Sequence, residues 1–230
     1  MNKKAQWFIG ATIAAGVCLL AYCLAGQATT AISRTYLTYL FLALLASTMK
    51  IHLPGITGTI SVNFLLILMA IAACSFFETV LLAASACAVQ CLWRPKSRPR
   101  LVQVAFNVST LAISSGISYR ASHLLKVDSG IRLAAALALA SSLYFLSDTL
   151  LVSGVLSLLQ RKPLLSVWQQ CYVWSFPYYM VGAVIAGAAV AADRNIGPGA
   201  SIPLLAVMYL VFVFYRIVVE RIAPRSSAAV

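Results

Sequence analysis

The sequence predicts an all-α fold: a polytopic transmembrane helical bundle of about eight helices with both termini in the cytoplasm. Three observations predict it. Apolar stretches long enough to cross a bilayer fill most of the 230 residues. Only 10% of those residues are charged, and mean hydropathy is +0.92. The 17 basic and 5 acidic residues gather in the short connections between the apolar runs. Chain inside hydrocarbon must pair its own amides, so spans this apolar are helices or barrel strands; these are too long and continuous for strands.

The elements follow in order. Lys3 and Lys4 precede an apolar run from Trp7 to Gly26, longer than a cleaved leader's core and closely followed by a second span, so helix one is retained over about 7–26. Helix two spans about 35–50, between Arg34 and Lys50. Residues 51–63 carry one Pro and two Gly among hydroxyl residues, which reads as an irregular, partly re-entrant connection. Helices three (about 60–76) and four (77–93) form a tight hairpin, with Glu78 capping the second. The segment Arg94-Pro-Lys-Ser-Arg-Pro-Arg100 bars helix continuation and supplies Arg94, Lys96, Arg98 and Arg100 as a cytoplasmic loop facing lipid headgroups. Helix five covers about 101–121 and helix six about 132–160, the latter long enough to need tilt or a break. Helix seven covers about 166–192, kinked at Pro177, and helix eight 201–221. Eight crossings put twelve basic residues inside and five outside. If residues 36–76 cross only once, the count is seven and the parity before the basic loop changes. The whole chain reads as one integral membrane domain in a bacterial inner membrane.

A formal charge of +12 does not imply nucleic acid, because Lys and Arg mark span ends rather than one face. The six cysteines form no C-x-x-C and read as small buried hydrophobes; Cys87 and Cys91 share a helix face, but without further ligands no metal site or cofactor is expected. No G-x-S-x-G, H-E-x-x-H, phosphate-binding or dinucleotide-binding loop occurs, so no enzymatic activity is expected.

Polar side chains inside the spans are the candidates for function. Asp148 falls within helix six, at a depth similar to Asn107 and Gln103 on one face of helix five; Asn63 and Gln90 reach the same layer. They make either a polar, proton-sensitive pocket or hydrogen-bonding glue between helices. Trp168, Tyr172, Trp174, Tyr178 and Tyr179 open helix seven; the deeper Tyr178 and Tyr179, with Trp174, suit a flat or apolar ligand, whereas the first rings equally suit an interfacial belt. Gly182, Ala183, Ala186 and Gly187 allow close helix contact. His52 and His123 lie near span ends and read as interfacial.

Several stretches carry a resemblance. Lys50-Ile-His-Leu-Pro-Gly-Ile-Thr-Gly-Thr-Ile-Ser-Val-Asn63, Glu78-Thr-Val-Leu81, Gln90-Cys-Leu-Trp-Arg94, Arg98 to Asn107 and Tyr209 to Arg216 together resemble the MASE-type membrane sensor modules that precede HD-GYP or GGDEF domains in bacterial cyclic-di-GMP signalling proteins. The resemblance implies a module that senses a small molecule, lipid or membrane state and signals through its last helix to a cytoplasmic partner. With the chain stopping at Val230, no output domain and no turnover of cyclic-di-GMP are expected of it. Two other readings stand beside this one: a small-molecule carrier or substrate-binding membrane subunit, and a structural membrane subunit.

Overall fold

A computed structural model describes residues 3–48, 50–52, 59–61, 63–93, 99–125 and 130–195, together with 203, 206, 207, 209, 210, 212–214 and 217. The described residues form α1 (Lys3–Gln27), α2 (Arg34–Ala46), the strands β1 (Lys50–His52) and β2 (Thr59–Ser61), α3 (Asn63–Ala73), α4 (Phe76–Leu92), α5 (Leu101–Ser122), α6 (Gly130–Gln160), α7 (Leu164–Cys171), a 3-10 turn (Val173–Ser175) and α8 (Phe176–Asn195). Four helices, α1, α5, α6 and α8, are long and apolar enough to cross a membrane; α2, α3 and α4 are shorter and apolar. The fold is therefore a helical membrane bundle. The irregular stretch expected over 51–63 contains the strand pair β1–β2, antiparallel with Ile51 opposite Ile60, while residues 53–58 and 62 lie outside the described ones. The described positions beyond residue 200 are helical, in line with helix eight.

α3 is the central element. Asn63 through Ile71 are all buried, because α2, α4, α6 and α8 pack around this one short helix. That enclosure explains a run apolar on all sides, since a helix with neighbours on every face has no polar stripe to keep. At about 1.5 Å per residue α2 and α3 extend only ~20 and ~17 Å, short of the ~30 Å hydrocarbon core. Their ends are fixed by contacts. Asn63 at the start of α3 bonds to Ser47 after α2 and to Gln90 near the end of α4. At the opposite level Glu78, at the start of α4, bonds to Ser33 before α2 and Ser75 after α3. α2 and α3 thus run antiparallel and return the chain to the level it left.

α6 runs unbroken for 31 residues, so of tilt or break the break is absent. It stops where Arg161 turns left-handed (φ 56°) and the Lys162 amide bonds back to the Ser157 carbonyl at 3.2 Å, a Schellman closure followed by Pro163. Helix seven differs from expectation: residues 166–192 are not one kinked helix but α7, a 3-10 turn and α8. Pro177 occupies the first turn of α8, where its missing N–H costs nothing, so it starts a helix rather than bending one.

Helix association in lipid rests on close packing, and glycines supply it. A Cβ at Gly182 would overlap the Phe64 ring, and one at Gly187 would fall 3.3 Å from Leu137, which seats α8 against α3 and α6. α1 uses the same device: Gly16 lies over Ser109 of α5 and Gly26 over Phe77 of α4, while Phe8 lies over Gly154 of α6.

Candidate functional site

The carboxyl-terminal half of α4 is the spine of a polar layer. Cys87 and Cys91, four residues apart, share a face, with their thiols within interaction range of each other. Asn107 of α5 donates from Nδ2 to Cys91 Sγ at 3.5 Å. Asp148 of α6 lies within electrostatic reach of Cys87 and of Tyr144, one turn away on its own helix. On the adjoining face Asn63 Nδ2 donates to Gln90 Oε1 at 3.2 Å and to Ser47 Oγ at 2.8 Å. The Ser47 hydroxyl in turn faces the carbonyls of Ala43 (2.7 Å) and Ala86 (2.9 Å). Five helices therefore meet through side-chain polar groups at one depth.

Asp148 is the chemically unusual member. It is half-buried, and among the described residues its carboxylate makes neither an ion pair nor a hydrogen bond. A carboxylate at the centre of a membrane helix costs about 3 kcal/mol on insertion scales, a cost normally offset by a partner. Here it lies near the Cys87 thiol and the Tyr144 phenol. Such a group can accept a proton, a cationic group or a hydrogen-bond donor arriving from outside the described residues.

The sequence-derived candidates divide as follows. Asn63, Asn107 and Asp148 are brought into the layer, with Asn63 buried and the other two half-buried. Gln90 joins them through Asn63. Gln103 does not: it is exposed, and its Oε1 accepts from the Arg100 amide at 2.9 Å, capping the start of α5. Tyr178 and Tyr179 are buried and packed, with Phe64 at 5.1 and 4.7 Å and Phe145 at 5.1 Å from Tyr179. These rings are core contacts of α3, α6 and α8. The Trp174 backbone lies in the 3-10 turn, and its side chain lies outside the described residues. Trp168 is tied inward, Nε1 donating to Thr149 Oγ1 at 2.8 Å, rather than standing only in an interfacial belt. Arg94, Lys96 and Arg98 lie outside the described residues, as does the side chain of His52; Arg100 precedes α5. His123 ends α5, its ring stacked 3.9 Å from Tyr119 with Nδ1 2.9 Å from the Tyr119 carbonyl oxygen.

Sequence reasoning missed Ser47 and Thr149, single hydroxyls whose importance comes from long-range neighbours that no local pattern announces. It also missed how much Glu78 holds. Ser75 three residues before Glu78 is a readable capping box, and the structure contains it: Glu78 N to Ser75 Oγ is 3.2 Å and Ser75 N to Glu78 Oε2 is 2.9 Å. The second partner, the Ser33 amide 2.8 Å from Glu78 Oε1, is 45 residues away.

Long apolar helices and a polar layer between them define an integral membrane bundle, the class to which the resemblance in the sequence had pointed. The profile of the MASE9 family matches residues 17–191. The chain belongs to that family of membrane-associated sensor modules. The matched region begins inside α1, ends inside α8 and contains every residue of the polar layer. No curated protein and no solved structure matches the chain.

Proposed function

We propose that the chain is a multi-pass inner-membrane sensor module in which a small molecule, a lipid or the state of the membrane shifts helix packing around Asp148. The change passes through the last helix, expected over 201–221, to a cytoplasmic signalling partner. The observation that carries this reading is Asp148 itself: a carboxylate left without a protein partner among the described residues, in a layer where five helices touch. A group bound or protonated there would favour one packing of the bundle over another, and only such a difference in affinity can drive a switch. Both termini and the loop of Arg94, Lys96, Arg98 and Arg100 then face the cytoplasm, with that loop against anionic headgroups.

The test is copurification of the full chain from its own membranes with a cytoplasmic protein bearing a GGDEF or HD-GYP domain. Asp148→Asn should change the yield of that complex at least threefold while leaving the helical content intact. Recovery of the same complex in the same amount from both proteins would remove Asp148 from the signal. Topology is read separately. A cysteine at Ser97 should resist an impermeant thiol reagent applied to intact cells, and labelling from outside would reverse the orientation.

A further inference from the structure

The outer face of α5 carries a second feature, independent of the signalling role. An open groove of about 710 Å³ runs between α1, α4 and α5, walled by Leu19, Phe76, Ile113 and Gly116 and ending at Arg120 and His123. From Ile113 to His123 is ten positions of helix, ~15 Å, the depth of one leaflet of a ~30 Å hydrocarbon core. Arg120 lies in the last turn of α5, at headgroup level, with its guanidinium carbon 4.5 Å from the centre of the Phe76 ring. Among the described residues Arg120 makes no ion pair and no hydrogen bond, so its donors are held at the mouth of an apolar channel without a protein acceptor. The stacked Tyr119 and His123 rings close the same end.

We propose that this groove is a binding site for an anionic phospholipid, one acyl chain lying along Ile113 and Gly116 and the phosphate paired with Arg120. Shape and charge agree on that occupant. The groove is one leaflet deep, apolar along its length and cationic only at its mouth, and a guanidinium fork pairs with a phosphate through two donors at once. Gly116 keeps the floor open. A Cβ there would meet Leu19 at 3.4 Å and Phe76 at 3.7 Å, ordinary contacts, so a methyl group is accommodated at the floor of the groove.

The full chain, purified in neutral detergent, is incubated with phosphatidylglycerol or phosphatidylcholine vesicles of equal chain length, washed, and assayed for retained lipid per protein. The wild type should retain phosphatidylglycerol about fivefold better, the discrimination expected of one cation at a headgroup. Arg120→Gln should abolish the preference, and Gly116→Leu should lower retention of both lipids. Arg161→Gln, the same charge change at the end of α6, should alter neither. Excess inorganic phosphate should fail to displace the lipid. Equal retention of the two lipids by the wild type overturns the proposal before any variant is made. A preference that survives Arg120→Gln, or is lost equally in Arg161→Gln, overturns it as well, and displacement by phosphate overturns the acyl-chain half.

Discussion

Two carboxylates inside the bundle are treated in opposite ways. Glu78 is buried at the end where α2 and α4 begin, and each of its oxygens accepts a backbone amide, Ser33 at 2.8 Å and Ser75 at 2.9 Å. Both amides belong to helix N-caps, where the peptide dipoles favour negative charge. Asp148, toward the other end, has the Cys87 thiol and the Tyr144 phenol near it and no hydrogen bond among the described residues. The first carboxylate is used up by the fold, clasping two helix starts that are distant in sequence. The second costs the fold free energy and receives nothing visible in return. A buried charge with satisfied oxygens explains architecture; one with unsatisfied oxygens calls for a function.

Four substitutions would break or sharpen that contrast, each followed by thermal unfolding in mild detergent. Glu78→Ala removes two charge-assisted hydrogen bonds at once and should cost about 3 kcal/mol. Asn63→Ala empties the junction between α2, α3 and α4, and should cost about 2 kcal/mol. Thr149→Val deprives the Trp168 indole of its acceptor while keeping shape, for about 1 kcal/mol. Asp148→Asn loses no hydrogen bond and removes the uncompensated charge, so it should not lower stability and should raise it by up to about 3 kcal/mol. A loss at Asp148 as large as that at Glu78 would make both groups structural and end the distinction.

The long helices were legible because their signal is local. α1, α4, α5 and α6 begin and end within about four residues of the apolar runs over 7–26, 77–93, 101–121 and 132–160, since charged, proline or other polar residues bound each run. The interruption at Val173–Ser175 was not legible. Its aromatic residues have no helical period to lose, and a proline reads as a kink or as a start until its neighbours are seen. In the site, Asn107 and Asp148 were placed at one depth by counting helix rise, and α4 does bring them to neighbouring thiols. The same counting put Gln103 in that layer, because spacing gives the face of a residue but not whether its side chain turns back to cap its own helix. Tyr178 and Tyr179 looked like pocket rings for a related reason: only the position of Phe64, more than a hundred residues earlier, shows what fills the space between them.

The notches that seat α1 bear on the order of assembly. Its partners arrive late in synthesis: the Ser109 hydroxyl that reaches the Ile13 carbonyl, 3.5 Å away, is 96 residues downstream, and Gly154 beneath Phe8 emerges later still. While the ribosome is making α2 through α4, α1 gains only its seam with α4, where Gly26 and Tyr22 meet Phe77 and Cys23 packs with Val80. Its other faces stay against lipid until α5 and α6 come alongside.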